Sequence, residues 1–542
     1  MRIRQHWLVA IPSVMLAGSA SAEVTGAAIR ETPDIIIHVD QRNTRARDTN
    51  NGTTTSPLLT INEAATRAIG NRWQRRSTKI VIHPGVYREN VEIGSDAVDA
   101  LAPSIVFEGT VSGEVILSGS DKITQWEREA DRGVFRAKWT KVWGPAPIPA
   151  GWDYVANDLN RNPVVLRREM VFVNGTLLKQ VLSLEELRAE EQTFFVTEPA
   201  TSGGNGILRV HVSPTLDLPR ALVEAGSRPS VFAANRIGQV VLRNLVFQHA
   251  SSPIQNAAVR INESAHILIE DCRVVLNNWG GVALNISSDI TLRRVQGNSN
   301  GASGVGGWRV KNLLVVDSEA SYNNWRGAWG QFFDWATGQK FFSLNGARFV
   351  GFKALQNRSA GLWLDTDNAN VSIEGADLSR NQSRGLYLEA SQGPVIVRNS
   401  TLSGNGESGL LATAAANVTL DGNTISHNNG YQIFIPWLSD THVSIPNTSY
   451  WTGAVTTIET INWTMVGNTI SAGAGSFLFT VGNWGGFFST MQSNNNVWSR
   501  AQNAAGFGVY PYKFAPPSVL DFSNWQQSTG QDISSKFVTT SN

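Results

Sequence analysis

The sequence predicts an all-β protein, a right-handed parallel β-helix (a solenoid of short strands) that carries an inserted β-sandwich-like module. Three observations predict this fold class. Asparagines recur about every 24 residues in the second half of the 542-residue chain. A glycine and a strand-like stretch follow most of these asparagines. The connecting segments are short, rich in Gly, Asn and Ser, and without helical periodicity, which argues against a leucine-rich repeat.

The repeat is defined by asparagines with spacings of 23, 24, 33, 24, 24 and 23 residues: Asn277, Asn300, Asn324, Asn357, Asn381, Asn405 and Asn428. Asparagine suits a turn because it tolerates left-handed backbone and bonds its own loop. Strand-like stretches such as 361–365 and 385–389 follow the repeat glycines. Each repeat is therefore one coil of short strands, and neighbouring coils stack on each other. The interruption of this repeat predicts the inserted module.

The N-terminus has the features of a signal peptide over residues 1–22. Arg2 and Arg4 precede a short apolar run, and an Ala-Ser-Ala sequence provides a cleavage site before Glu23. A membrane anchor would need a longer apolar stretch. We therefore expect a secreted or periplasmic protein without a membrane span.

Three regions are expected after the signal peptide. Residues 23–123 form an N-terminal cap and the first coils, with a short helix near 62–69 that covers the end of the core. Residues 124–229 are β-rich but lack the repeat, and they form the inserted module. Residues 230–542 form the main β-helix and its C-terminal closing coil.

The composition limits the partners. The formal net charge is +1, so no strong global field attracts nucleic acid or an anionic membrane. Cys272 is the single cysteine, which excludes an intrachain disulfide. The eight histidines show no ligand spacing. We therefore expect no nucleic-acid partner, no metal and no cofactor.

Strand alternation identifies the side chains on the outer surface of the coils. Counted from each repeat glycine, positions +1 and +3 are apolar and point inward, so positions +2 and +4 point outward. One outward column reads Trp329, Trp363, Tyr387 and Leu411. The next outward column reads Asn285, Trp308, Gln331, Asp365, Glu389 and Thr413. The aromatic side chains could stack on sugar faces or could merely shield their neighbours.

Asp365 and Glu389 are 24 residues apart and should lie one above the other on neighbouring coils. Stacked strands are about 4.8 Å apart, and retaining glycosidases hold two carboxyl groups about 5–5.5 Å apart. Like charges on adjacent strands are unfavourable, so the pair needs a reason. Unlike surroundings would raise the pKa of one carboxyl group and leave the other ionised, which provides an acid and a nucleophile. Asp367 adds a third carboxylate on the same face.

Two further interpretations of these acids stay open at this point. They could be solvated surface acids or a structural cation site. The 33-residue spacing, however, adds a loop, Gln331 to Gly346, just before the carboxylate coils. Lengthened coils build the walls of clefts on solenoids, which favours a functional site.

Several motifs resemble known β-helix proteins. His38-Val-Asp, the run 48–64 and the motif Pro84-Gly-Val-Tyr-Arg-Glu resemble the start of pectate-lyase-like β-helix proteins. The stretch 168–175 resembles the module inserted in β-helix glycoside hydrolases, and 525–532 is similar to their C-terminal coil. The resemblance covers most of the chain after the signal peptide. It is more specific for fold than for activity, because this scaffold carries many chemistries.

The resemblance also implies roles for individual residues. β-Helix β-xylosidases place an aspartate nucleophile and a glutamate acid/base on adjacent coils. Asp365, or Asp367 as the fallback, is then the nucleophile and Glu389 the acid/base of a retaining glycoside hydrolase that acts on carbohydrate. The spacing alone does not choose between the two aspartates. The residues expected to bind substrate are Trp308, Trp329, Gln331, Trp363, Arg384 and Tyr387.

Two other functions remain open. In a polysaccharide lyase or epimerase, the three carboxylates would bind Ca²⁺, and Arg384 would act as a base or neutralise a uronate. The nearly neutral chain with few cations in the outward columns argues against this function. A non-catalytic glycan-binding surface solenoid is the second alternative, and the carboxylate stack argues against it. The sequence does not determine the sugar, the linkage, or exo or endo action.

Overall fold

The computed structural model describes residues 24–147, 163–201, 203–327, 339–436, 444–473, 475–482, 486–501, 506–511 and 516–540. Within these ranges the chain forms the predicted right-handed parallel β-helix, with an inserted pair of small sheets. Successive coils pair in parallel along strips that run the length of the solenoid. Trp329 and Gln331, and the signal peptide expected over residues 1–22, lie outside the described residues.

Two strips of the solenoid join into one 22-stranded sheet, because several strands bend from one strip to the next. The strands of this sheet are Ile35–Val39, Thr78–Ile82, Val91–Ala97, Ile105–Gly109, Phe232–Arg243, Ala257–Asn262, Ala265–Glu270, Gly280–Arg293, Ser303–Val316, Gln339–Val350, Leu362–Asp365, Ala369–Glu374, Arg384–Ser391, Val395–Arg398, Ser408–Ala415, Val418–Asp421, Tyr431–Phe434, Trp463–Val466, Phe477–Gly482, Gln492–Asn494, Phe507–Tyr510 and Ser518–Leu520. Alternate residues of these strands point inward and form one continuous apolar core.

The third strip closes each coil. Its strands are Gly85–Tyr87, Val115–Ser118, Val246–Gln248, Arg273–Val275, Thr401–Ser403, Thr424–Ser426, Thr469–Ala472, Val497–Ala501 and Lys536–Thr540. Isolated parallel bridges from Arg273 to Thr401 continue the strip between its two parts.

An asparagine ladder marks one corner of the coils. Each side-chain Nδ2 group donates to the Oδ1 atom of the next asparagine at 2.9–3.3 Å. The ladder consists of Asn277, Asn300, Asn323, Asn357, Asn381, Asn405 and Asn428. The sequence interpretation was wrong by one residue at Asn324, whose Nδ2 group donates to the Arg358 carbonyl oxygen at 2.7 Å. Buried amides that bond along the column satisfy the turn backbone at every coil.

The N-terminal end of the core is covered by a helix, Ile61–Trp73. Thr60 begins it, because its hydroxyl accepts a hydrogen bond from the Glu63 amide at 3.2 Å. The helix buries Ile61 and a row of alanines against the first coil. It extends beyond the 62–69 segment expected from the sequence. The other helices of the described ranges are Leu184–Ala189, Phe487–Thr490 and Phe522–Thr529, with 3-10 turns at Pro163–Leu166 and Leu218–Arg220.

The inserted module consists of a four-stranded and a five-stranded sheet. The strands of the first sheet are Ser120–Lys122, Val171–Val173, Thr176–Leu177 and Val223–Gly226. The strands of the second are Glu127–Arg128, Val134–Trp139, Lys179–Gln180, Thr193–Thr197 and Gly206–His211. Apolar residues of both sheets form a separate core, which is the arrangement of a β-sandwich.

Two further features complete the fold. Near the C-terminus, the indole nitrogens of Trp498 and Trp525 both donate to the buried Asp532 carboxylate, at 3.0 and 2.9 Å. A β-hairpin formed by Ser444–Thr448 and Val455–Glu459 packs against the coils. Among the helices of the described ranges, none is long and apolar enough to cross a membrane.

Candidate functional site

Asp365 and Glu389 occupy equivalent positions on neighbouring coils. The parallel register pairs Leu364 with Leu388, and the two acids are the next residue on each strand. The same column continues to Phe342 on one side, which pairs with Asp365, and to Thr413 on the other, which pairs with Glu389. The strand spacing of about 4.8 Å therefore sets the separation of the two backbones.

The Asp365 carboxylate is held by a cation from the preceding coil. Lys340 Nζ lies 2.8 Å from Asp365 Oδ2, and the Asp365 side chain is only 10% exposed. The Thr366 hydroxyl donates to the other oxygen, Oδ1, at 2.8 Å. Lys340 also lies over the Trp363 ring, 3.9 Å from its centre. Asp365 is thus a carboxylate with fixed orientation beside an ammonium group.

Glu389 has different surroundings. The pKa of its carboxyl group is raised to about 7, mainly by burial and then by the nearby Asp365 charge, while Lys340 opposes the rise. The indole nitrogen of Trp363 donates to Glu389 Oε2 at 3.1 Å. Glu389 can therefore carry a proton near neutral pH, whereas its neighbour is ion-paired. This difference is what an acid and a nucleophile require of two adjacent carboxyl groups.

The sequence left open whether Trp363 and Tyr387 stack on sugar faces or shield their neighbours, and the structure buries both residues. Their rings stack on each other with centres 4.9 Å apart, and the residues are only 4% and 7% exposed. Leu411 and Phe434 extend the same cluster along the column. The Tyr387 hydroxyl lies 3.1 Å from the Thr413 hydroxyl, and burial raises the pKa of Tyr387. The hairpin Ser444–Glu459 contacts the strands beneath this cluster.

The two positions assigned to Trp329 and Gln331 in the outward columns are held by other residues. The register pairs Trp363 with Lys340 and Asp365 with Phe342, so the earlier column assignments were wrong there. In the lengthened coil, the extra residues come between the repeat glycine and the strand Gln339–Val350. A fixed count forward from that glycine therefore placed the strand too early in the sequence. Counting 23 residues back from Trp363 and Asp365 would have found Lys340 and Phe342.

Asp367 does not share the surroundings of Asp365, although a common face was expected. Thr366 and Asp367 have positive φ angles of 32° and 60°, which ends the strand alternation at Asp365. The Asp367 side chain is fully buried. The Tyr450 amide donates to its Oδ2 atom at 2.8 Å, and the Gln392 side chain donates to Oδ1. Asp367 therefore binds the hairpin and does not point into an open site.

A groove lies on the coils that precede Asp365 in the chain, and its lining includes Lys340 and Phe342, which contact or pair with Asp365, but neither Asp365 nor Glu389 itself. Its volume is about 580 Å³, within the range of small-molecule sites. Ala283, Gly306 and Gly307 provide a floor of small residues. Lys340, the cation paired with Asp365, lies at the end of the groove nearest that residue. The rim is aromatic and consists of Trp279, Trp308, Phe342 and Tyr450.

Of the substrate-binding residues expected from sequence, Trp308 lines this groove and is 40% exposed. Arg384 lies elsewhere in the site: its guanidinium is 5.1 Å from the centre of the Tyr387 ring, and its Nε atom is 3.1 Å from Glu407 Oε2. Sequence reasoning missed Lys340 and Tyr450. Lys340 was missed because the lengthened coil makes the inward and outward positions of its strand uncertain. Tyr450 was missed because it belongs to a hairpin outside the repeat.

The donor groups for a cation are dispersed. Asp365 is paired with Lys340, and Asp367 accepts hydrogen bonds from the hairpin. Among the residues that the structure describes, no group of three or more His, Cys, Asp or Glu side chains is placed to hold a metal ion. The three carboxylates named from the sequence therefore do not converge on one point in this conformation.

Comparisons with known proteins agree with this fold. Residues 257–425 match the family described as a right-handed beta helix region. No curated protein matches the chain. The solved structure of XylC with xylose is similar to this chain with a TM-score of 0.69 and 14% identity, over 93% of this chain and 86% of that one. The comparisons confirm, at the level of fold, the resemblance to pectate-lyase-like right-handed parallel β-helix proteins.

Two further structures are similar to a lesser degree. A glycoside hydrolase aligns with a TM-score of 0.43 at 11% identity, over 92% of this chain and 99% of that one. The A-module of mannuronan C-5 epimerase AlgE6 from Azotobacter vinelandii aligns with a TM-score of 0.40 at 13% identity, over 89% and 96%.

Proposed function

We propose that this protein is a carbohydrate-active enzyme, a retaining glycoside hydrolase in which Asp365 is the nucleophile and Glu389 the acid/base. The observation that carries the proposal is the unlike surroundings of two carboxyl groups on stacked coils. Asp365 is ion-paired with Lys340 at 2.8 Å. The pKa of Glu389 is raised to about 7. One residue therefore attacks as a carboxylate while the other donates a proton.

The reaction follows from these two roles. Glu389 protonates the glycosidic oxygen as the bond to the anomeric carbon breaks, and Asp365 attacks that carbon to form a glycosyl-enzyme. Glu389, now deprotonated, takes a proton from water, which attacks the same carbon and releases Asp365. Strands about 4.8 Å apart leave no room for a water between the carboxyl groups, which favours retention of configuration.

The lining of the groove indicates the class of substrate. Its aromatic rim and small-residue floor suit the flat faces of sugar rings, and it lies on the coils next to Asp365. The similarity to XylC, solved with xylose, supports a carbohydrate ligand. We infer an oligosaccharide or polysaccharide of plant or bacterial origin as the substrate.

The experiment is a screen of 4-nitrophenyl glycosides and xylo-, fuco- and pectic oligosaccharides, with anomeric configuration followed by NMR. Asp365→Asn should lose activity on every substrate, because the covalent step is lost. Glu389→Ala should suffer most on substrates with poor leaving groups, and azide should partly rescue it on an aryl glycoside with a retained azide product. Glu374→Gln is the matched control: it removes a carboxylate from the second strand of the same coil as Asp365, where Glu374 pairs with Arg348.

Three outcomes would contradict the proposal. An inverted product would exclude Asp365 as a nucleophile. Loss of activity with EDTA, together with products that absorb as unsaturated uronates, would favour the calcium-dependent lyase. Binding of glycans without turnover of any would favour a non-catalytic solenoid.

We also infer export, from the basic start, the apolar run and the Ala-Ser-Ala sequence over residues 1–22. N-terminal sequencing of protein from the periplasm or the medium should begin at Glu23. Intact Met1 in a cytoplasmic fraction would contradict this inference.

A further inference from the structure

We propose that Asp367 is a positioning residue that holds the hairpin Ser444–Glu459 so that Tyr450 forms a wall of the groove. The proposal rests on the function proposed above and extends it to the determinants of substrate affinity. It also separates the roles of the two aspartates, since Asp365 reacts while Asp367 shapes the binding site.

Three of the four hydrogen-bond donors to the Asp367 carboxylate lie on the hairpin. The Tyr450 amide donates to Oδ2 at 2.8 Å and the Ser449 hydroxyl at 3.4 Å. The Asn447 side chain donates to Oδ1 at 3.3 Å, and Gln392 donates to the same oxygen from the neighbouring coil. All four donors are neutral, and the carboxylate is fully buried. A buried carboxylate needs such donors, so the turn of the hairpin and Asp367 stabilise each other.

Tyr450 connects this anchor to the groove. Its ring centre lies 6.0 Å from that of Phe342, which pairs with Asp365 in the strand register. The Arg309 guanidinium lies 3.8 Å from the centre of the Tyr450 ring and 4.6 Å from the centre of the Trp308 ring. Tyr450, Phe342 and Trp308 all line the groove. One residue of the hairpin therefore has its backbone fixed by Asp367 and its side chain in the groove wall.

The backbone explains how neighbouring aspartates take separate roles. The positive φ angles of Thr366 and Asp367, 32° and 60°, turn the chain at the end of the strand. Asp365 stays in the outward column, whereas Asp367 lies past the turn and binds the hairpin. An asparagine at 367 would keep one acceptor oxygen but direct an NH₂ group at two of the four donors, so the anchor would be weakened although the size is unchanged.

The test compares Asp367→Asn, Tyr450→Ala and Tyr450→Phe with the wild type. The probes are 4-nitrophenyl β-D-xyloside and xylotriose, or the corresponding pair for whichever sugar the screen shows to be cleaved. Asp367→Asn and Tyr450→Ala should each raise KM for the trisaccharide about tenfold or more, which corresponds to about 1.4 kcal/mol. In both variants KM should change more than kcat does, and the control Thr457→Ala, at an exposed position of the hairpin strand Val455–Glu459, should leave both parameters unchanged.

Hydrogen–deuterium exchange supplies a readout that does not depend on activity. The Tyr450 amide should exchange faster in Asp367→Asn than in the wild type, and Tyr450→Phe should leave it protected. An unchanged KM, or an unchanged exchange rate at Tyr450, would overturn the proposal. Loss of aryl glycoside turnover in Asp367→Asn, with KM unchanged, would identify Asp367 as a catalytic residue instead.

The two proposals can fail separately. If no glycan is cleaved, the proposed function fails, and the exchange rate at Tyr450 still decides whether Asp367 anchors the hairpin. If Asp367→Asn does not fold, as judged by circular dichroism, Ser449→Ala and Tyr450→Ala test the same wall from the hairpin side. Both should raise KM, and unchanged values for both would overturn the proposal.

Discussion

Lys340 and Asp365 form an ion pair between neighbouring coils, with Lys340 Nζ 2.8 Å from Asp365 Oδ2. The same ammonium group lies 3.9 Å from the centre of the Trp363 ring, and the Trp363 indole donates to Glu389 at 3.1 Å. Lys340 thus contacts Asp365, the proposed nucleophile, directly and affects Glu389, the proposed acid/base, through its charge. It lowers the pKa of Glu389, against burial and the Asp365 charge, which raise it.

Removal of the cation should shift the pH profile. Glu389 must be protonated to donate, so kcat/KM of the wild type should fall above about pH 7. Lys340→Met removes a charge that favours the ionised form of Glu389, so its pKa should rise and the alkaline limb should move to higher pH. The measurement is kcat/KM on an oligosaccharide from pH 5 to 9. Lys353→Met, at an exposed site on the third strip, should leave the limb in place.

A limb that stays in place in Lys340→Met, or moves to lower pH, would contradict this electrostatic coupling. The maximal rate should fall as well, because Asp365 loses its partner. The position of the limb is therefore the decisive quantity.

The raised pKa of Glu389 also predicts how stability depends on pH. The folded protein holds this proton up to about pH 7, whereas an unperturbed glutamate releases it near 4.5. Between these values the folded state binds more protons than the unfolded state, so this group lowers stability as pH rises. Glu389→Gln should therefore be more stable than the wild type at pH 8, by on the order of 2 kcal/mol.

The measurement is the free energy of unfolding of both proteins at pH 4.5 and pH 8. The advantage of Glu389→Gln should shrink toward pH 4.5, where the wild-type side chain is protonated as well. Equal stabilities of the two proteins at pH 8 would show that the surroundings do not destabilise the ionised Glu389 side chain.

The sequence was sufficient to place Asp365 and Glu389 on neighbouring coils because regular coils preserve the phase of the strand alternation. The asparagine ladder sets that phase, and the 24-residue spacing of the two acids equals the ladder spacing there. The fold follows from the same regularity. Misplacing one ladder residue at Asn324 did not affect it, because Asn323 is the adjacent residue.

Other parts of the site could not be predicted because they depend on departures from the repeat. Because of the lengthened coil, the sequence does not indicate whether Lys340 points inward or outward. The turn at Thr366 reverses the expected direction of the Asp367 side chain. Trp363 and Tyr387 point outward as the alternation requires, yet they are buried in a cluster on that face. A periodic pattern specifies which side chains leave the coil, but not which later segment packs over them.

The asparagine ladder should contribute strongly to stability. Asn381 donates to the Ala354 carbonyl oxygen at 2.9 Å and to Asn405 at 3.1 Å, and its own Oδ1 accepts from Asn357. Asn381→Ala leaves several buried polar groups without partners, at about 1–3 kcal/mol each. The expected loss is about 3 kcal/mol in the free energy of unfolding, measured in denaturant. Gln382→Ala, at the exposed neighbouring position, should change it by less than about 0.5 kcal/mol.

The junction between the module and the β-helix contains a buried histidine. His249 follows a β-helix strand, and its ring stacks on Phe172 of the module with centres 3.7 Å apart. Its Nδ1 atom lies 3.3 Å from the Ser120 hydroxyl. Burial lowers the pKa of His249 to about 4, so the folded protein holds it neutral. The junction should therefore be sensitive to acid.

The sign of this effect is opposite to that of Glu389. Between pH 6.5 and about 4 the unfolded state binds the proton of His249 and the folded state does not, so stability is lost as pH falls through this window. The loss reaches at most about 3 kcal/mol. His249→Asn keeps a side chain that tolerates the positive φ of 60° at this position but cannot titrate. It should be less stable than the wild type at pH 7, because the ring stacking is lost, and this deficit should shrink as pH falls to 4.

Comparison of each variant with the wild type at every pH is essential here, because the windows of His249 and Glu389 overlap and their effects on wild-type stability partly cancel. His427→Asn is the matched control: this histidine is exposed and also has a positive φ, 56°. Its difference from the wild type should stay within about 0.5 kcal/mol, because an exposed side chain makes few stabilising contacts. A deficit of His249→Asn that stays constant from pH 7 to 4 would mean that water reaches the ring and that the junction is not closed around a neutral imidazole. A deficit that shrinks by up to about 3 kcal/mol between pH 7 and 4 in the double variant His249→Asn/Glu389→Gln, measured against Glu389→Gln alone, would assign the acid sensitivity to the junction itself.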